Sequence, residues 1–281
     1  MKNPNIPPTE QQNPRTINMS GASAGEIIAM INREDFLAAA AVKKASGQIE
    51  TAVKETAARF MKGGKIIFIG AGTSGRLGII EAAECPPTFS TNPNQIIGIM
   101  AGGKSGVFKA KEGAEDSAEL GKKDILKKVK KGDIVFGIAA SGRTPYVLGA
   151  LEAAKKAGAY TNLITSNNAA DKKAADNIIY LPTGPEALQG STRMKAGTAA
   201  KMALNIITTA AMVLCGKVYK NYMIDVKATN NKLRLRAQRL VCAITGAPPA
   251  RAQKALEATG YKVKDAAAIL GKILCMKKSS K

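Results

Sequence analysis

The sequence predicts an α/β fold: a doubly wound, mostly parallel sheet with helices on both faces, followed by a small C-terminal helical subdomain. Three observations support this prediction. Short apolar runs alternate with helical patterns over the first two thirds of the 281 residues. Two of the runs end in turns that contain serine and glycine and open a helix. After Gly190 the patterns are mainly helical.

The first elements follow from local patterns. Residues 1–23 are polar and rich in proline and asparagine, and we expect an arm that is poorly ordered or packs on a partner. Helical patterns begin at Ala24, and a second helix over 49–61 ends at a glycine pair. The apolar run 65–69 predicts a buried parallel strand. A helix should then run to Glu84 and stop at the prolines that follow Cys85.

The rest of the chain continues the alternation. The pattern predicts strands over 96–100, 133–138, 161–165 and 177–181. It predicts helices over 107–126, from the turn at 139–145 to about 157, from about 190 to 215, and over 230–245, and two short helices within 248–275 broken at Gly260.

Composition narrows the function. A net charge of +21 suggests nucleic acid, but Lys and Arg are spread along the chain and aromatics make up only 4%, which leaves few stacking platforms. We therefore expect no nucleic-acid groove, although a positive field would attract an anionic substrate.

The chain has no histidine, which excludes the usual Ser-His-Asp and Cys-His mechanisms and histidine-bound zinc. A general acid or base must then be Glu, Asp, Lys, Tyr or Cys.

Targeting features point to the cytoplasm. The amino terminus has no apolar segment typical of a signal peptide, and the longest apolar run, 206–215, is too short to span a bilayer. The four cysteines, Cys85, Cys215, Cys242 and Cys275, form no CxxC pair and are expected to be reduced and mostly buried. We expect no membrane contact.

Gly70, Gly72 and Gly75 spell GxGxxG between a predicted strand and a helix, which is formally a dinucleotide fingerprint. That fingerprint also needs an acidic residue at the end of the next strand to hold a ribose. The next strand here ends in residues 99–103, which contain no acid. The sequence therefore argues against a nucleotide cofactor.

Two similar turns within the chain indicate a site for a phosphate ester instead of a nucleotide. Two similar turns each place a serine beside a glycine at a helix start, where unpaired amides and the helix dipole favour an anion. A third segment adds hydroxyls and cations, with Glu186 as a nearby ion-pair partner. The alternatives are simple helix N-caps and a local ion pair. The candidate binding residues are Thr73, Ser74, Gly75 and Arg76, then Ser141, Gly142, Arg143 and Thr144, then Glu186, Ser191, Thr192, Arg193 and Lys195.

Two acidic groups are candidates for catalysis. Glu81 and Glu84 lie three residues apart on one helix face, and the predicted helix end would put Glu84 at the negative end of the dipole, which suits a general acid. Glu112 and Glu115 belong to a second cluster, and their positions alone do not choose between them. All of these could instead be solvent-exposed helix carboxylates.

Four long motifs carry a family resemblance. GAGTSGRLGIIEAAECPPTF, EGAEDS, GIAASGRTPY and GSTRMKAGTAAK resemble the N-acetylmuramic acid 6-phosphate etherases of the sugar isomerase (SIS) fold group, and the similarity runs from about residue 9 to about 275. The resemblance implies three parts: an N-terminal arm with helices over 1–50, a SIS phosphosugar-binding domain over 51–235, and a helical subdomain over 236–281. Two departures are Glu81, where Asp is expected, and Lys220, where Gly is common.

What the resemblance implies is specific. Such enzymes cleave the D-lactyl ether of N-acetylmuramic acid 6-phosphate, giving N-acetylglucosamine 6-phosphate and D-lactate, with no metal or organic cofactor. Glu84 matches the family's catalytic acid and Glu115 its second catalytic glutamate. A homodimer is implied, with sites near the subunit interface. A phosphosugar sensor without activity and an aldose–ketose phosphosugar isomerase are the alternatives on the same fold.

Overall fold

The computed structural model describes residues 6–109, 111, 113–168, 171–225, 228 and 230–272. By its contacts the chain divides into two compact units. Unit 1 comprises Met1–Ala82 and Asn94–Thr208, and unit 2 comprises Ala83–Pro93 and Thr209–Lys281. Glu112, Cys275 and the basic tail 277–281 lie outside the described residues.

The helices and strands alternate as the sequence predicts. The helices are α1 (Ala24–Lys44), α2 (Ser46–Met61), α3 (Gly72–Phe89), α4 (Gly103–Phe108), α5 (Ala118–Leu126), α6 (Pro145–Lys156), α7 (Lys195–Leu214), α8 (Asn231–Thr245), α9 (Pro249–Ala258) and α10 (Val263–Ile269). The strands are β1 (Ile66–Gly70), β2 (Ile96–Met100), β3 (Ile134–Ile138), β4 (Tyr160–Thr165), β5 (Asn177–Tyr180), β6 (Val218–Tyr219) and β7 (Tyr222–Met223).

Unit 1 is built on a five-stranded parallel sheet in the order β2-β1-β3-β4-β5. β1 and β3 are buried along their whole length, as expected for central strands covered on both faces. From β1 the chain adds β2 on one side and then β3 on the other, so the winding direction reverses between β1 and β3. Ligands of such sheets bind outside the carboxyl ends of the strands at this switch point. The predicted fold class is confirmed.

The two predicted turns follow β1 and β3, the strands on either side of the switch point.

Close packing against α5 fixes the position of α6, the helix that follows β3. A Cβ at Gly121 of α5 would collide with the carbonyl of Tyr146 in α6, and one at Gly149 of α6 would collide with the carbonyl of Ala118 in α5. Only glycine lets these two backbones approach so closely. α6 in turn packs on the sheet through Val147 and Leu151.

The prediction that α3 runs to Glu84 and is stopped by the prolines after Cys85 is wrong. The helix continues through Pro86 and Pro87 to Phe89. Each proline removes one amide from the helix, so the expectation of a stop was reasonable. Cys85 and Phe89, one turn apart, are both buried in unit 2, and their packing outweighs the lost hydrogen bonds. Glu84 therefore lies inside the helix and not at its last residue.

The single helix predicted over 107–126 is also wrong. α4 ends at Phe108, because Lys109 is extended, and α5 begins only at Ala118. Gly113, with a φ of 74°, lies in the loop between them. Ser117 starts α5 by accepting a hydrogen bond from the amide of Leu120 at 3.2 Å. The loop takes Glu115 off any helix.

Of the two expectations for the amino-terminal arm, poor order is wrong, and packing on a partner stays a prediction. Over its described part, residues 6–23, the arm packs on its own unit and forms two short 3-10 helices, Pro8–Glu10 and Met19–Gly21. Thr9, Asn13 and Thr16 are buried within unit 1. Their hydrogen bonds explain the order of the arm and are described below.

In unit 2, α8, α9 and α10 pack around Ala237, Val241 and Leu256, with the small β6–β7 hairpin preceding them. The break predicted at Gly260 is present, since Gly260 has a φ of 60° and separates α9 from α10. The hairpin was not predicted, because two-residue strands leave no periodic pattern. Among the described residues one helix, α7, is long and apolar enough to cross a membrane, a test that buried core helices also pass.

Candidate active site

The first turn joins β1 to α3 and needs its glycines. A Cβ at Gly75 would lie 2.7 Å from the carbonyl oxygen of Gly70, so a larger residue would push the helix away from the strand. α3 begins at Gly72, which places Thr73 and Ser74 in its first turn and not at an N-cap. Their hydroxyls therefore stand among the unpaired amides of this helix start.

Arg76, predicted to bind substrate, has a structural partner. Its Nε donates to the carbonyl oxygen of Val107 at 2.8 Å and its Nη2 to that of Gly106 at 2.9 Å. These bonds tie the start of α3 to the last turn of α4. The same side chain also lines the pocket that contains Glu115, so both roles are compatible with its position.

The second turn joins β3 to α6. Gly142 has a φ of 68°, and its amide donates to the carbonyl oxygen of Ala139 at 2.9 Å. The Ser141 hydroxyl accepts from the amide of Arg143 at 3.2 Å and lies 3.4 Å from the Thr144 hydroxyl. Thr144 makes no side-chain cap bond to α6. The amides at the start of α6 are thus not capped by that hydroxyl.

The structure brings the three predicted segments together in unit 1. Ser74 of the first turn, Ala140 of the second and Thr192 of the third line one narrow cavity at the switch point. Thr165 and Ser166, at the carboxyl end of β4, also line it and were missed from the sequence. Their position in the sequence could have indicated them. They are hydroxyl residues at the carboxyl end of a predicted parallel strand, and the other two turns lie at the same edge of the sheet.

Glu186 and Lys195, two further predicted binding residues, form hydrogen bonds and an ion pair within the protein. Glu186 is fully buried and accepts from the amides of Lys195 at 2.9 Å and Ala196 at 2.8 Å, the first two residues of α7. Burial raises the pKa of the Glu186 carboxyl, while those amides act in the opposite direction. The Lys195 ammonium contacts Glu34 and donates to the carbonyl oxygen of Pro185 at 2.7 Å. Both side chains therefore fix the start of α7.

The other two predicted residues of this segment are more accessible. Ser191 is half-buried, and Arg193 is exposed. The segment before α7 thus has two faces: Lys195 lies inside the protein, and Arg193 is open to a ligand.

Glu115 lines a 180 Å³ pocket with Arg76, Lys111 and the backbone at Gly72 and Ala101. Its backbone is held at one point by α6, since the amide of Tyr146 donates to the Glu115 carbonyl oxygen at 3.0 Å. The Glu115 side chain is exposed, and two cationic side chains share its pocket. Lys111 was not predicted, because it lies outside the helix-start patterns from which the anion site was inferred.

The two carboxylates of α3 differ in environment. Glu81, in unit 1, is buried and accepts hydrogen bonds from Asn205 Nδ2 at 2.6 Å and from the Thr208 hydroxyl of α7. Glu84, in unit 2, is exposed, and its backbone carbonyl oxygen accepts from the Thr88 hydroxyl at 2.7 Å. Glu81 therefore holds α3 against α7, while the Glu84 carboxylate is accessible.

The fold and the paired helix-start turns define a SIS-domain protein. A family model for the SIS domain matches residues 109–210, one for the N-terminal SIS domain of glucokinase regulatory protein matches 48–155, and one for the C-terminal lid domain of that protein matches 220–273. Solved structures share the fold. One is a ligand complex of a protein from Escherichia coli CFT073, with a TM-score of 0.52, 21% identity and coverage of 71% of this chain and 97% of the other. A Bacteroides fragilis protein described as a putative phosphosugar isomerase has a TM-score of 0.54, 18% identity and coverage of 71% and 95%.

Curated relatives identify the family within this class. N-acetylmuramic acid 6-phosphate etherase 1 of Bacillus licheniformis is 49% identical over 93% of this chain and 87% of its own length. The enzymes of the same name from Clostridium botulinum Loch Maree and Bacillus subtilis are 50% and 48% identical, over 91% and 93% of this chain. The chain belongs to the N-acetylmuramic acid 6-phosphate etherase family.

Proposed function

We propose that this protein is a carbon–oxygen lyase that cleaves the D-lactyl ether of N-acetylmuramic acid 6-phosphate, giving N-acetylglucosamine 6-phosphate and D-lactate in cell-wall sugar recycling. The observation that carries the proposal is the identity of 48–50% with etherases over more than nine tenths of the chain. The two acidic residues that the reaction needs, Glu84 and Glu115, are present in the matching motifs.

The phosphate of the substrate binds at the switch point between β1 and β3. Its oxygens accept hydrogen bonds from the hydroxyls of Ser74, Ser141 and Thr192, and the amides at the start of α3 contribute positive potential. The narrow cavity lined by Ser74, Thr192 and Ala140, the residue before Ser141, supports this assignment. The residues that carry these hydroxyls are half-buried, so the hydroxyls can supply hydrogen-bond donors to a phosphate ester without a metal ion.

Elimination and water addition then need one base and one acid. The open-chain sugar has an acidic C2–H beside its aldehyde, and Glu115 takes that proton. Glu84 protonates the lactate oxygen as the C3–O bond breaks, which leaves an unsaturated aldehyde. Water adds to C3, with Glu84 now accepting a proton and Glu115 returning one to C2. Both roles go to carboxylates in a chain without histidine, and no cofactor takes part.

The exposure of Glu84 and Glu115 and the pocket that Glu115 shares with Arg76 support these roles. A cation beside Glu115 stabilises the enolate oxygen that forms when C2 loses its proton. We further propose a cytoplasmic homodimer without nucleic-acid or membrane partners. The basic charge then serves to attract an anionic substrate.

The test is D-lactate release from N-acetylmuramic acid 6-phosphate with a chelator present and no cofactor added. Glu84→Gln and Glu115→Gln should each lower kcat by about 10²- to 10⁴-fold, the usual contribution of a general acid or base. Glu119→Gln is the matched control, because Glu119 is an exposed glutamate of the neighbouring helix α5. It should keep full activity.

Deuterium separates the two roles. In D₂O, Glu84→Gln should still exchange the C2 proton of the substrate, since the base is intact, whereas Glu115→Gln should lose this exchange. Equal exchange by both variants would refute the assignment of Glu115 as the base. If the parent protein bound the phosphosugar but catalysed neither C2 proton exchange nor lactate release, it would be a sensor. Conversion of an aldose to a ketose phosphate without lactate would indicate an isomerase.

A further inference from the structure

Three polar residues of the N-terminal arm, Thr9, Asn13 and Thr16, are buried, although residues of these types are mostly exposed in proteins. Asn13 Nδ2 donates to the carbonyl oxygen of Pro185 at 3.3 Å, and the Thr16 hydroxyl donates to that of Ala187 at 2.8 Å. In the opposite direction, Gln189 Nε2 donates to the carbonyl oxygen of Glu10 at 2.9 Å. The arm is therefore bonded along the loop 185–189.

That loop carries the residue that fixes α7. Glu186 lies between two arm contacts, at Pro185 and Ala187, and its carboxylate binds the first two amides of α7. α7 begins directly beside the narrow cavity, which Ala196 and Gly197 help to line. A shift of the loop would therefore move one wall of the cavity.

The arm also reaches the second turn. Asn167, two residues after β4, donates from its Nδ2 to the Thr9 hydroxyl at 3.1 Å and to the carbonyl oxygen of Ala140 at 3.0 Å. Ala140 precedes Ser141 and lines the cavity. Thr9 and Asn167 are each 1% exposed, so this chain of bonds is shielded from water.

A buried ion cluster fastens the arm. Glu34 of α1 pairs with Lys195 and with Arg15 of the arm, and its second oxygen also accepts from Arg15 Nη2 at 2.9 Å. The side chains of Glu34 and Lys195 are 3% and 1% exposed, whereas that of Arg15 is 55% exposed. Buried charges persist only when they are paired, so Glu34 and Lys195 hold each other in place. Arg15 adds the arm to that fixed pair.

We propose that the arm is a positioning element of the phosphosugar site, which acts through Asn167 on the Ser141 turn and through Glu34 and the 185–189 loop on the start of α7. The proposal rests on the proposed function. Neither Thr9 nor Arg15 touches substrate; each holds a segment that does. Loosening the arm weakens phosphosugar binding and leaves the chemical step intact.

Two pairs of variants test the proposal. Arg15→Ala releases the arm while Glu34 keeps Lys195 as its partner, and Arg15→Lys restores one charge. Thr9→Val removes the hydroxyl that accepts from Asn167, and Thr9→Ser restores it. Lys54→Ala is the control, because Lys54 forms an exposed ion pair with Glu50 on α2, outside the arm and its contacts.

The readouts are KM and kcat for lactate release, calorimetric binding of N-acetylglucosamine 6-phosphate, and Tm. Arg15→Ala and Thr9→Val should raise KM and the Kd of the product about tenfold, equivalent to about 1.4 kcal/mol. kcat should stay within about twofold, as expected when binding but not chemistry is altered. Arg15→Lys, Thr9→Ser and Lys54→Ala should lie close to the parent.

A fall in Tm with unchanged KM and Kd would overturn the proposal, because the arm would then only stabilise the fold. A loss of kcat with unchanged KM would also overturn it. If the parent protein released no lactate, the proposed function would fail. The calorimetric Kd of the phosphosugar would still decide the role of the arm, since it does not depend on turnover.

Discussion

Replacing Gly75 by alanine adds one methyl group at the point where α3 leaves β1. The new Cβ would lie 2.7 Å from the carbonyl oxygen of Gly70 and 2.9 Å from Met100 Cγ, whereas ordinary contact begins at 3.4 Å. The turn must therefore open by about 0.7 Å, because the nearest atom belongs to the backbone and cannot rotate away. Gly75 is not among the glycines with positive φ, so the effect is steric and not conformational.

A displacement of this size moves the first turn of α3, with Ser74, relative to the second turn. Misplacement by about 1 Å lowers rates by about 10²-fold, so we expect kcat/KM for lactate release to fall by about that factor in Gly75→Ala. Overpacking should also lower the free energy of unfolding by about 1–3 kcal/mol. Gly47→Ala is the matched control, since a Cβ at Gly47 in α2 meets nothing within 4 Å. A Gly75→Ala enzyme with the parent's kcat/KM would refute the assignment of the phosphate to this turn.

Two further predictions concern the elements around the site. Gly121→Ala should lower Tm and kcat together, because a Cβ there collides with the carbonyl of Tyr146, whose amide holds Glu115; thermal unfolding and lactate assays measure both, and an unchanged Tm would contradict the packing argument. Burial alone would raise the pKa of Glu34. The hydrogen bonds from Arg15 and Lys195 outweigh this effect and lower the pKa from 4.5 to about 2. Glu34 therefore stabilises the fold above pH 4.5, and about 3 kcal/mol should be lost as pH falls to about 2; denaturant titrations should show a smaller loss over this range in Glu34→Gln.

The sheet could be predicted from the sequence because its first strands, β1, β2 and β3, are short apolar runs close to a glycine. Local sequence signals gave wrong helix boundaries where tertiary packing decides where a helix ends. Pro86 and Pro87 are strong stop signals, yet the burial of Cys85 and Phe89 carries α3 past them. Such burial depends on residues far away in sequence, which periodicity does not register.

The candidate site shows the same division. The sequence indicated Ser74 and Ser141, because a serine beside a glycine at a helix start has a local pattern. It did not indicate Thr165, which reaches the cavity only because β4 lies beside β3. It also gave Lys195 a ligand role, whereas the structure pairs its ammonium with Glu34, 161 residues away. Partners at such separations have no signature in the sequence around either residue.

The docked arm has a consequence for synthesis on the ribosome. Thr9 and Glu10 bond to Asn167 and Gln189, residues 158 and 179 positions later. The arm therefore cannot form these contacts until 158 to 179 further residues have been made. At about 5–20 residues per second, the synthesis of these 158 to 179 residues takes roughly 8–36 s. During translation, the ion cluster of Arg15, Glu34 and Lys195 is likewise completed only after α7 has begun to emerge.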